Sequence, residues 1–222
     1  MNFEILTLFP EIVDSFFTQS IMAKSVESNK ISYDIINFRD FALDKHRTCD
    51  DNPYGGGAGM VVKPEPLGAA LESIDAKNKR VIYVTPSGKK FTQEYAASLS
   101  KESDLVIICG RYEGIDQRII DLYVDDEICI GDYVISSGEV AALVVVDAVY
   151  RLVDGVINSE SLVEESFTDG LLEYPHYTRP VTYCSKTVPD VLLSGHHANI
   201  EKWRMEKRIE KTRAMRPDLL KE

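Results

Sequence analysis

Short apolar runs recur along the chain at strand length. "FEILTLF" begins near residue 3 and "ISYDIINF" at Ile31. "RVIYV" begins at Arg80, "DLVIICG" at Asp104 and "EICI" at Glu127. Between them the apolar positions change to helical spacing. "PEIVDSFFTQSIMAKSV" follows the first run, with Pro10 suited to a first helical turn. "EPLGAALESI" precedes the third run. "TQEYAASLS" follows it, with Thr92 as its N-cap. "IDQRIIDLYV" follows the fourth run, and "VAALVVVDAVYR" comes soon after the fifth. Strand and helix alternating in this way predict an α/β domain built on a largely parallel sheet.

The pattern changes further on. "DGVINSESLVEESFTDG" (154–170) is polar and acidic with glycines near its ends, which predicts a linker. Beyond it, "YPHYTRPVTY" is extended and "ANIEKWRMEKRIEKTRAMR" predicts a basic amphipathic helix. The expected division is a domain over 1–158, a linker over 159–170 and a small, mainly helical domain over 171–222.

Composition sharpens this picture in three ways. With 44% hydrophobic and 27% charged residues, the 222-residue chain is ordinary for a globular protein. No apolar run approaches the ~20 residues of a membrane span, and the N-terminus lacks a basic n-region. A cytoplasmic protein with no membrane partner is the expectation. Cys49, Cys109, Cys129 and Cys184 form no C-x-x-C pair, so neither a zinc site nor a disulfide framework is expected. Cys109 and Cys129 read as small buried hydrophobes.

The net charge of −11 argues against a general nucleic-acid binder, DNA included. Yet from Glu201 to Arg216 seven basic residues stand against three acidic ones, which fits a solvated helix face and a phosphate contact surface about equally.

In a parallel sheet, the loops leaving the carboxyl ends of the strands share one edge, and ligands bind there. Three such loops carry Gly or Ser: "YVTPSGKK" (83–90), "CGRYEGID" (109–116) and "IGDYVISSGE" (130–139). None matches G-x-G-x-x-G or the P-loop pattern, so a dinucleotide or triphosphate is disfavoured. Glu113 and Asp132 suit ribose hydroxyls or a cationic ligand. A fourth loop, "HRTCDDNPYGGGAGM" (46–60), is rich in glycine, which fits either a disordered loop or a close approach of backbone to a large flat or anionic ligand. His46 and Arg47 at its start suit phosphate.

Taken together, "DKHRTCDDNPYGGGAGM", "CGRYEGIDQR", "IGDYVISSGE", "LLEYPHYTRP" and "LLSGHHANIEKWR" resemble the bacterial tRNA (guanine-N1)-methyltransferase family, TrmD, in the family's order. The resemblance implies a SPOUT fold, whose sheet carries a trefoil knot. It also implies a homodimer with active sites built from both subunits. The implied reaction carries a methyl group from S-adenosylmethionine to N1 of guanosine 37, beside the anticodon, with the tRNA anticodon stem-loop as partner. Carried over by motif, cofactor contacts fall on Tyr83, Val84 and Thr85, on Gly110 and Glu113, and on Ile130, Gly131, Asp132, Tyr133, Val134, Ile135 and Gly138. Arg151 takes the place of the family's helper arginine. Glu165 of "EESF" stands where the family has the Asp of D-S-F, the general base, and Asp169 is the alternative base. Carboxylates near the cofactor are compatible with Mg²⁺, although no ligand spacing supports one. The family's S-G-G-E-L-P-A reads "SSGEVAA" here. Ser137 would be strained if the glycine it replaces has positive φ. The departures at Glu165 and Ser137 leave a second reading, a tRNA-binding module without turnover.

Overall fold

The computed structural model describes residues 1–158 and 165–220. They form two compact units, Met1–Ile157 and Asn158–Glu222.

The first unit is built on five parallel strands. These are β1 (Asn2–Thr7), β2 (Ser32–Asn37), β5 (Arg80–Lys90), β6 (Asp104–Cys109) and β7 (Asp126–Cys129). They lie in the order β2-β1-β6-β5-β7. β3 (Asp50–Asp51) and β4 (Val61–Val62) form a separate two-residue antiparallel pair. The five main strands coincide with the five apolar runs of the sequence.

Both faces of the sheet are covered, so the strands are apolar on both sides. Phe3, Ile5, Ile82, Val84, Leu105 and Ile107 share one core. The helices α1 (Pro10–Phe17), α2 (Ser20–Glu27), α4 (Gln93–Leu99) and α6 (Gly138–Tyr150) contribute to it through Val13, Phe17, Met22, Leu99 and Val145. Leu6, Val81, Tyr83, Val106 and Ile108 face a second core. There they meet Leu67 and Leu71 of α3 (Pro64–Ser73) and Ile119 of α5 (Gln117–Tyr123).

Two elements differ from the sequence expectation. The single helix expected after β1 is broken into α1 and α2. Thr18 caps α1, its hydroxyl bonds back to Asp14 and Ser15 carbonyls, and Ser20 takes a left-handed φ of 54°. "YVTPSGKK" is not a free loop. β5 pairs with β7 through Val84, bulges, and pairs again from Lys89, so Ile128 faces both Val84 and Lys89. Thr92 is the N-cap of α4 as expected, accepting from the Tyr95 amide at 3.2 Å.

The second unit has little apolar core. It holds a hairpin of β8 (Thr182–Tyr183) with β9 (Lys186–Thr187), a short helix Asp190–Leu193 and a long helix His197–Met215. The expected amphipathic stripe on that long helix is absent, because its buried residues are Arg208 and Thr212. Its burial is satisfied by hydrogen bonds instead. Of the expected linker 159–170, residues 159–164 lie outside the described residues. Residues 165–170 fold into turns of the second unit.

Among the described residues, no helix is long and apolar enough to cross a membrane. All four cysteines are free, and Cys109 and Cys129 are buried.

Candidate active site

The carboxyl ends of β5, β6 and β7 open into a cleft of about 260 Å³. Tyr83, Val84 and Thr85 reach it from the end of β5 and the start of its bulge. Gly110, Glu113, Ile130, Gly131, Tyr133, Val134, Ile135 and Gly138 reach it from the loops after β6 and β7. Of the residues expected to hold the cofactor, only Asp132 lies outside the lining. Its side chain is 88% exposed and faces Lys90 Nζ at 3.7 Å. Sequence reasoning did not name Arg111, Tyr112 or Ser136, and raised Ser137 only for its backbone, yet these residues also line the cleft. All four sit inside the quoted motifs, and that position was their only signal.

The loops are held to one another through backbone. Gly138, the first residue of α6, donates its amide to the Gly110 carbonyl at 3.1 Å. A Cβ at Gly138 would lie 2.5 Å from Gly110 N and O, so no side chain fits. The glycine-rich loop is joined to the same edge. Glu113 donates its amide to the Met60 carbonyl and Val62 to the Gly114 carbonyl, each at 3.0 Å. Gly59, at φ +84°, lies against the Glu113 side chain, and a Cβ there would come 2.5 Å from Oε1. A second cleft of about 430 Å³ adjoins the first. Phe9, Gly59 and Met60 line it together with Arg111, Tyr112, Glu113 and Ser136, which belong to both clefts.

Beneath the loops lies a buried polar cluster that the sequence did not announce. Glu139, in the first turn of α6, is fully buried. Its Oε1 accepts from Thr7 Oγ1 at 2.7 Å and its Oε2 from Ser137 Oγ at 2.6 Å. Arg111 Nε lies 3.5 Å from the same Oε2, Arg111 Nη1 donates to the Ser136 carbonyl at 2.9 Å, and its guanidinium stacks on Phe9 at 4.2 Å. One carboxylate thus fastens the end of β1 and the loops after β6 and β7. Ser137 itself has φ −141°, which is extended backbone without strain. Serine therefore sits here without backbone strain, and its hydroxyl donates to the Glu139 carboxylate. Burial raises the Cys109 thiol well above its ordinary pKa, reinforced by the Glu139 carboxylate, so it is not a nucleophile.

Arg151 caps the C-terminus of α6, where a cation is favoured. Asp147, one turn earlier, has its carboxyl raised by desolvation, an effect opposed by Arg151. In the second unit, Asp169 accepts a two-pronged bond from Arg208, with Nη1 to Oδ2 at 2.8 Å and Nη2 to Oδ1. That bond holds the Asp169 carboxyl below its ordinary range. Arg47 is exposed and paired with Asp40 at 3.0 Å, and His46 is exposed.

The sequence pattern of the family "tRNA (Guanine-1)-methyltransferase TrmD" matches residues 1–222. The chain belongs to that family. It is 67% identical over 220 residues to a "tRNA (guanine-N(1)-)-methyltransferase" of Treponema denticola, covering 99% of this chain and 90% of the relative. A protein of the same description from Treponema pallidum is 64% identical, covering 99% of this chain and 88% of the relative. A third, from Borrelia hermsii, is 62% identical over 99% of this chain and 92% of the relative. The family is one of enzymes, and methyl transfer implies S-adenosylmethionine as donor.

Proposed function

We propose that this TrmD-family enzyme transfers a methyl group from S-adenosylmethionine to N1 of guanosine 37 in tRNA. The observation that carries the reading is the cleft at the carboxyl edge of β5, β6 and β7, walled by three loops of which two, 109–116 and 130–139, hold family motifs.

The cleft fits the adenosyl group. Its apolar members Ile130, Val134 and Ile135 offer walls for adenine, and the backbone of 130–135 offers groups for its polar edge. The exposed Glu113 carboxylate suits ribose hydroxyls. When bound, the cofactor supplies an electrophilic methyl on a sulfonium. The adjoining cleft lined by Phe9, Gly59 and Met60 shares Arg111, Tyr112, Glu113 and Ser136 with the first, so a guanine there would face the cofactor's end of the site. Such a base must leave the stack, as enzymes acting on nucleobases require.

Guanine N1 carries a proton at neutral pH, so its attack needs a base, and charge then builds toward O6. Glu165 takes that proton and Arg151 stabilises the developing charge. Asp169 is the weaker candidate for base, because its anion is already stabilised by Arg208. Among the described residues, no three His, Cys, Asp or Glu side chains converge.

The SPOUT knot and a homodimer belong to the same proposal. The bond from Gly138 to Gly110, which tucks the loop after β7 against the loop after β6, supports the first. For the second, α6 leaves Val140 and Val144 exposed one turn apart, as a face covered by a second copy would. The second unit, with its basic helix, would seat the anticodon stem.

Labelled methyl transfer tests the reading. The purified protein with S-adenosylmethionine should label wild-type tRNA transcript, and Glu165→Gln should abolish turnover while leaving cofactor affinity nearly unchanged. Cofactor binding without transfer by the wild-type protein would instead favour a tRNA-binding module.

A further inference from the structure

Within the second unit, the segment from Glu165 to Glu173 closes on itself. Phe167 donates its amide to the Leu171 carbonyl at 2.9 Å, and Thr168 donates to the Glu165 carbonyl at 3.4 Å. Glu173 donates to Ser166 Oγ at 3.0 Å, and Leu171 to Asp169 Oδ1 at 3.3 Å. Phe167 is held at φ +76°, a conformation that a bulky residue keeps only when its surroundings fix it.

This closed loop is fastened to the long helix along one face, at residues spaced four apart. Arg208 grips Asp169 with both terminal nitrogens, and its Nε donates to the Leu172 carbonyl at 3.3 Å. One turn on, Thr212 Oγ1 accepts from the Leu172 amide at 2.9 Å. A further turn on, the Arg216 guanidinium lies 5.8 Å from the Phe167 ring. Arg208 and Thr212 are the buried residues of that helix, so this seam is where the unit commits its burial.

We propose that the Asp169–Arg208 pair is a positioning clasp. It fixes the loop that carries Glu165 to the basic helix, so that the proton acceptor and the tRNA-contacting surface are carried as one piece. The inference rests on the reading of Glu165 as base. Two physical points favour a clasp over a chemical role for Asp169. A bidentate guanidinium–carboxylate pair fixes direction as well as distance. A buried arginine also needs its counter-ion, so Asp169 is not at liberty to accept a proton. The lowered carboxyl pKa is consistent with both points. Three residues separate Asp169 from Glu165, too few to leave the placement of the latter independent of the former.

The full-length protein provides the test. Asp169→Asn should lower kcat by up to about a hundredfold, the scale of a reacting group displaced by about an ångström. KM for tRNA and the cofactor affinity should change little, and the acid limb of the kcat profile should keep its midpoint. Exchanging the partners, Asp169→Arg with Arg208→Asp, should recover at least tenfold of the loss, because a clasp works in either polarity and a general base does not. Should either variant be unfolded at the assay temperature, Arg208→Lys serves in its place. It keeps the charge without the fork and should be intermediate in kcat. Wild-type turnover in Asp169→Asn, failure of the exchange to recover activity, or a wild-type Arg208→Lys would each overturn the clasp. Turnover by Glu165→Gln would overturn the base assignment instead, and the exchange experiment still reports on the clasp.

Discussion

Ser137 shows what a single residue can and cannot reveal in sequence. Its place in "SSGE" raised the question of strain, and the answer depends on a φ that no residue name contains. At −141° the backbone is relaxed, and the hydroxyl bonds to the buried Glu139 carboxylate. Hydrogen bonds to charged groups contribute about 1.5–3 kcal/mol. Ser137→Ala should therefore destabilise the first unit by an amount of that order in denaturant titrations, and it should weaken cofactor binding in calorimetry. Gly138 makes a sharper case. Its missing Cβ leaves room for the Gly110 backbone, so Gly138→Ala must push the loop after β7 away from the loop after β6. Cofactor affinity should fall by more than tenfold. An unchanged affinity would mean that the cleft is not the cofactor site. Glu139 and Thr7 left almost no trace in the sequence. A carboxylate in a helix's first turn and a threonine at a strand's end are both commonplace until the fold buries them against each other.

At the scale of elements, the strands were legible because a sheet covered on both faces needs continuous apolar runs. The boundaries that failed were those set by local hydrogen bonding. The break between α1 and α2 follows from Thr18 bonding back to the preceding turn, and the bulge in β5 from pairing with β7 on either side of it. The long C-terminal helix misled in another way. Its apolar residues suggested a stripe, yet Arg208 and Thr212 are the ones buried. A depressed carboxyl pKa at Asp169 adds stability that is full above the ordinary aspartate range and is lost as pH falls through the lower, folded-state value. The second unit should accordingly loosen below about pH 4. Asp169→Asn should flatten that part of the pH-dependence of stability. An identical acid limb in the variant, followed by circular dichroism, would show that Arg208 does not depend on this partner.

Over the whole molecule, charge is divided unevenly. The net charge is −11, while the helix from Glu201 to Arg216 is rich in lysine and arginine. Such a distribution admits a polyanion at one place and repels it elsewhere. Lys211 and Arg213 are exposed on that helix. Replacing both with glutamine should weaken tRNA binding and reduce the slope of log K against log salt by about two, one for each phosphate left without its cation. An unchanged slope would place the tRNA on another surface. The candidate site was legible at this scale through the order of the motifs, of which those within the first unit lie far apart along the chain and meet at one sheet edge.

The position of the methyl group tests the central claim most directly. N1-methylation blocks the pairing face of guanine, so reverse transcriptase should stop one nucleotide before position 37 on tRNA treated with the enzyme and S-adenosylmethionine. The predicted result is that stop, with N1-methylguanosine in the digested product, and no stop on a transcript carrying adenosine at 37. Methylation of that second transcript at an undiminished rate, or a methyl group found on any other atom or residue, would contradict it.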